Sequence, residues 1–207
     1  MQTKLYQLVR IGFASLALGA IITQLYRHAG LNYSIANFFS YFTNLSNILF
    51  AVFLLAAGIL VLLGKQESPL FQFVRGASVV SMIIVGVVFS LLLRDQDLGA
   101  LLPWVNFVLH YLMPFVALAD WFVQPRKLKF KRQHIVAWLV FPLVYLIYTL
   151  VRGHAINWYP YPFLNPDKAG GYLGVSAYCI GIFVLFLAVG WIVARVSMQT
   201  ELPHKRA

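Results

Sequence analysis

A chain of 207 residues that is 61% hydrophobic and only 11% charged lies outside the range of ordinary water-soluble domains, and several apolar runs can cross a hydrocarbon core of ~30 Å at ~1.5 Å per residue. The net charge of +10 would suit nucleic acid, but its distribution along the chain follows the pattern of a topology signal, so no nucleic-acid partner is expected. The prediction is all-α: a polytopic membrane protein, one six-helix bundle over residues 1–207 with no room for a soluble domain.

The predicted spans are about 5–26, 38–63, 72–93, 102–123, 134–151 and 172–196. The first resembles a signal peptide in having Lys4 and Arg10 before an apolar run, but that run is too long for an h-region and no small-x-small site ends it. Alternating the spans across the bilayer puts Lys4, Arg10, Lys65, Arg75, Arg126, Lys127, Lys129, Lys131, Arg132, Arg195, Lys205 and Arg206 on one side. Arg27, Arg94, Arg152 and Lys168 fall opposite. That asymmetry predicts both termini in the cytoplasm, with "QPRKLKFKRQH" as a solvated cytoplasmic loop beside anionic headgroups.

The second span opens on a polar stripe. Ser40, Thr43, Asn44 and Asn47 follow i, i+3, i+4, i+7 and so share one helical face. With the helix entering from the outer face near Asn37, Thr43 is expected ~9 Å inside it. Such a stripe faces protein or a wet cavity, because an amide turned to lipid is costly. Helix-to-helix hydrogen bonding, or Ser and Thr bonding back to their own carbonyls, would also account for it.

The fourth span, "LLPWVNFVLHYLMPFVALADWF", brings His110 to a comparable depth, ~12 Å inside. Asn106 lies four residues earlier on the same face, where it can orient the imidazole, and Pro114 is expected to kink the helix beside it. A lone intramembrane histidine can simply join helices, but a neutral imidazole is also the side chain suited to taking and returning a proton. A threonine hydroxyl becomes a nucleophile when such a base accepts its proton. Thr43 and His110 therefore form a candidate dyad, with Asn44 or Asn47 as oxyanion donors, Asn47 being the one clearly on the face of Thr43. No triad acid is evident. Asp95 and Asp97 belong to the outer loop, and Asp120 is ~15 Å along the helix from His110.

The loop "RGHAINWYPYPFLNPDKAGG" combines Trp158, Tyr159, Tyr161 and Phe163 with three prolines. It reads first as an interfacial aromatic belt, and as a functional element it could cap a lipid entrance, with Arg152, His154 or Lys168 meeting a carboxylate. Trp158 and Tyr161 complete the entrance candidates. In the sixth span, Cys179 is the single cysteine and has no partner for an internal disulfide.

Thr43 near the start of the second span, "NFVLH" with Asn106 and His110, "PF" at Pro114 and Phe115, and "YPFL" at Tyr161 to Leu164 together resemble the androgen-induced gene and androgen-dependent TFPI-regulating protein family. The resemblance implies a multipass threonine hydrolase of lipid esters, such as fatty acid esters of hydroxy fatty acids, with Thr43 as nucleophile and His110 as base. It further implies a membrane lipid or fatty acyl ester as substrate, no cofactor, and, for a distant relative of this type, residence in a bacterial cytoplasmic membrane.

Other chemistry finds less support in the residues. "GVSAY" at Gly174 to Tyr178 lacks the second glycine of a serine elbow, and no H-E-x-x-H occurs. His28, His110, His134, His154 and His204 show no ligand spacing, so no metal is expected. Gly12, Gly19, Gly58, Gly86, Gly181 and Gly190 read as close-packing positions. Two rival functions remain open. One is a transporter or small-molecule binding protein in which the same polar groups line a cavity, and the other is a scaffold whose stripe only joins helices.

Overall fold

The computed structural model describes residues 4–96, 100–123 and 132–199. The basic segment 124–131, Asp97, His204, Lys205 and Arg206 lie outside the described residues. Among the described residues all regular structure is helical, and six helices are long and apolar enough to cross a membrane: Lys4–Gly30, Phe42–Leu62, Pro69–Leu93, Pro103–Val123, Gln133–Ile156 and Gly171–Val196. These are the six spans expected from the apolar runs, with ends shifted by a few residues.

The third span is the hub, packing against the second, fourth, fifth and sixth, while the first packs mainly on the second. Ala14, Ala17 and Ala20 bury a small-residue face of the first span. The lipid-facing surface carries Ile22, Leu91, Phe115, Ile147 and Leu173. Gly86 in the third span is where close approach is required. A Cβ there would stand 2.9 Å from Cβ of Pro114 and 3.6 Å from the carbonyl oxygen of His110. Gly58 and Gly190 are similarly crowded, whereas Gly12, Gly19 and Gly181 face open space and are not packing positions.

Two features of the second span differ from expectation. Its helix starts at Phe42, not near residue 38, after a separate short helix at Ile35–Phe38 and an extended Tyr41 with ψ 124°. Thr43 is thus in the first turn of the helix and not ~9 Å down it. The break has a tertiary cause. The Tyr41 ring meets Trp158 and Tyr161 edge-on at 5.9 and 5.7 Å, and the Tyr145 hydroxyl donates to the Ser40 carbonyl at 2.8 Å.

Near the end of the bundle that carries Lys4 lies a buried ionic cluster. Asp120 accepts from Arg10 at 2.7 Å, from Arg75 at 2.8 Å and from the Tyr6 hydroxyl at 2.8 Å. Glu67 reaches Arg10 at 3.6 Å and accepts from Gln72. Arg10 and Arg75, counted above as flanking charges, are therefore core residues joining the first, third and fourth spans. They carry no weight in a positive-inside comparison.

Candidate functional site

The opposite end of the bundle holds a cavity of about 450 Å³ whose walls include Thr43, Asn44, His110, Trp158, Tyr161 and Lys168. The stripe of Ser40, Thr43, Asn44 and Asn47 is buried throughout, and Thr43 and His110 are each only 7% exposed. Two residues 67 positions apart in sequence thereby line one cavity.

Local backbone geometry sets His110. The third and fourth spans each contain a π-helical turn, at Phe89–Leu93 and Val108–Leu112, and π turns often mark functional sites. The His110 ring stacks on Phe89 at 4.0 Å with 25° between planes. Its Nδ1 lies 3.2 Å from the carbonyl oxygen of Asn106. Because a carbonyl can only accept, this bond places the proton on Nδ1 and leaves a lone pair on Nε2. Among the described residues Nε2 has no hydrogen-bond partner. Asn106 thus orients the imidazole through its backbone. Its side-chain oxygen is buried without a partner.

Asn47 is explained by the same π turn. The Met113 N–H bonds the Val108 carbonyl, and the residue that would serve the Leu109 carbonyl in π register is Pro114, which has no N–H. Asn47 Nδ2 supplies the missing donor at 3.1 Å and also donates to the Thr43 carbonyl at 2.9 Å. Both amide hydrogens are then spent, so Asn47 positions the two helices and is not an oxyanion donor. Asn44 Nδ2 donates to the Phe38 carbonyl at 2.8 Å, holding the short helix onto the second span.

Thr43 is the second residue of its helix, where a backbone N–H lacks an intrahelical acceptor and the macrodipole is positive. The Tyr161 hydroxyl accepts that N–H at 3.2 Å and lies 3.4 Å from Thr43 Oγ1. Burial pushes the Tyr161 phenol up to about 12, so it remains an O–H donor at ordinary pH. Tyr161, expected only at the entrance, is therefore a contact residue of Thr43. "YPFL" and its prolines marked the segment, but nothing in the spacing paired it with Thr43.

Of the other entrance candidates, Trp158 lines the cavity. Arg152 stands behind the wall, donating to Asn37 Oδ1 at 2.6 Å and lying over the Trp158 ring at 5.3 Å. His154 is on the surface, 3.4 Å from the Tyr172 hydroxyl. Oγ1 of Thr43 bonds Tyr161 and not His110; the two share the cavity without a direct hydrogen bond. Asp120 is fully engaged with arginines at the far end and does not reach His110. Asp95 sits in an exposed pair with Arg94 at 3.4 Å. Among the described residues no three His, Cys, Asp or Glu side chains converge as a metal site.

No family model matches the chain. Neither the curated proteins nor the solved structures give a match.

Proposed function

We propose that this protein is an intramembrane hydrolase of lipid esters, with Thr43 as nucleophile and His110 as general base. The observation that carries this reading is the 3.2 Å approach of His110 Nδ1 to the Asn106 carbonyl oxygen: a neutral imidazole that donates there presents an unprotonated Nε2 in the cavity that Thr43 also lines. Thr43 Oγ1 attacks the ester carbonyl as its proton passes to Nε2. The developing oxyanion meets the Tyr161 O–H and the positive end of the second span's helix. Nε2 then returns the proton to the departing alkoxide. Water, deprotonated by the same nitrogen, attacks the acyl-threonine, and the fatty acid leaves as Thr43 recovers its proton. Because Thr43 and His110 share no direct hydrogen bond in the free protein, the substrate must complete the alignment, as catalytic hydrogen bonds often tighten only in the complex. The resemblance of the Thr43, "NFVLH" and "YPFL" segments to the androgen-induced gene family points the same way.

The test is turnover of long-chain fatty acyl esters by detergent-purified protein. Wild type should release fatty acid, and Thr43→Ala and His110→Ala should each lose about 10³-fold or more while melting at the wild-type temperature. A protein that moves lipid would instead depend on His110 far more than on the Thr43 hydroxyl. Unchanged turnover by Thr43→Ala would remove the nucleophile from the proposal.

A further inference from the structure

Thr43, Tyr161 and Phe89 line a second cavity besides the polar one. This chamber is apolar, about 100 Å³ in volume and bounded by Val85, Leu143, Leu146, Ile182, Phe183 and Phe186, so it has room only for the part of a chain next to Thr43. Leu143 and Phe183 are 41% and 40% exposed, so the chamber reaches the lipid-facing surface between the fifth and sixth spans. The polar cavity has a different outlet and a different chemistry. Its walls come largely from the loop end of the bundle and include Ser34, Asn37, Gln96, Asn165 and Lys168. Among the described residues no Asp or Glu lines it, and Lys168 brings a cation that forms no ion pair there. Asp167 is exposed beside Lys168 but is not part of the wall.

We propose that the two cavities divide the substrate at Thr43: the carbons of the acyl chain nearest the ester enter sideways from the bilayer into the apolar chamber, the rest of the chain staying in the bilayer, and the leaving alcohol occupies the polar cavity as a headgroup bearing an anion. That the alcohol departs rests on the hydrolase reading, but the placement of chain and headgroup stands without it. An apolar chamber lined by six or more hydrocarbon side chains favours a methylene chain over any polar arm. A cavity with an exposed lysine in its wall and, among the described residues, no carboxylate favours a phosphate or carboxylate headgroup over a second hydrocarbon arm. The substrate class is therefore a single-chain acyl ester of an anionic polar alcohol, of the lysophospholipid kind, and not a wax-like ester with two apolar arms.

The experiment uses an ether-linked lysophosphatidylglycerol with a diazirine on the chain a few carbons from the ether, which binds but cannot be hydrolysed at the ether. Full-length protein in nanodiscs is photolysed and the crosslinked peptides are mapped by mass spectrometry. Crosslinks should concentrate on the fifth and sixth spans around Leu143 to Leu146 and Ile182 to Phe186. An unlabelled anionic ether lysolipid should compete several-fold better than the neutral alkylglycerol of equal chain length, and Lys168→Gln should bring the two to parity, a loss of up to about fivefold for a solvent-screened charge pair. Crosslinks scattered over the lipid-facing surface, or equal competition by the neutral alkylglycerol in wild type, would overturn the proposal. Chamber crosslinks together with no turnover of the corresponding acyl ester would keep the proposal and refute only hydrolysis, whereas preferred hydrolysis of a wax ester would do the reverse.

Discussion

Replacing Tyr161 by phenylalanine removes one oxygen and leaves the ring, with its edge contact to Tyr41 and its stacking on Phe163 at 5.2 Å. Two losses follow. In the resting protein the Thr43 N–H loses its acceptor, and a buried amide left unpaired costs ~1–3 kcal/mol. At 3.2 Å the existing bond is long, so the lower end, ~1 kcal/mol, applies. In the reaction, the loss of one oxyanion donor costs ~2.7–4 kcal/mol, or ~10²–10³ in kcat. For a single neutral hydroxyl donor the smaller figure, about 10², applies. The measurement is kcat and KM for a long-chain acyl ester alongside the melting temperature in the same detergent. The expected pattern is a hundredfold fall in kcat, little change in KM and a small fall in melting temperature. A Tyr161→Phe variant with wild-type kcat would show that the hydroxyl only caps the helix and takes no part in the chemistry.

The same tyrosine gives a pH prediction. Its phenol is raised from 10 to about 12 by burial, so the folded protein resists an ionisation that the unfolded chain undergoes readily. Stability from this group is fully present below pH 10 and is lost as pH climbs from 10 to 12, by up to ~3 kcal/mol. Alkaline melting curves of Tyr161→Phe should fall less steeply than wild type in that window, and parallel curves would contradict the burial argument. Asn47→Ala strips donors from two carbonyls, at ~1 kcal/mol each, and should lower the melting temperature and kcat together, since it loosens Thr43 and the Leu109 turn at once. Asp120→Ala leaves two buried arginines without their shared carboxylate and should cost ~3–5 kcal/mol, read by thermal unfolding in detergent. A loss below ~1 kcal/mol would mean that water reaches the cluster. Gly86→Ala drives a methyl group against Pro114 at 2.9 Å and should cost ~1–3 kcal/mol, and a neutral result would mean that the third and fourth spans part easily.

The six spans were legible because hydrocarbon thickness imposes a length on apolar runs that composition alone reveals. The stripe from Ser40 to Asn47 and the histidine at 110 were legible for the same reason, since polar groups inside such runs need partners. What the stripe does was only half visible. The start of the helix at Phe42 could not be read from "NFFSYFTN", which has no glycine or proline to mark a break; Tyr145, Trp158 and Tyr161 impose it from other parts of the chain. The role of Asn47 depends on a π turn, and a π turn leaves no periodic signature in five residues. The Tyr161 contact spans 118 positions and joins a loop to a helix terminus, a pairing that no local pattern encodes. Arg10, Arg75 and Asp120 were each visible as charges within or beside spans, but their convergence into one buried cluster depends on helix order and rotation.

The most direct measurement is intact-mass analysis of the purified protein after treatment with a lipid-like fluorophosphonate, comparing wild type with Thr43→Ala and His110→Ala. A hydroxyl activated by Nε2 of His110 should give wild type a single adduct that maps to Thr43 and is missing from both folded variants. Wild type that stays unlabelled while a serine hydrolase control labels fully, or an adduct that persists in Thr43→Ala, would contradict the assignment of Thr43 as an activated nucleophile.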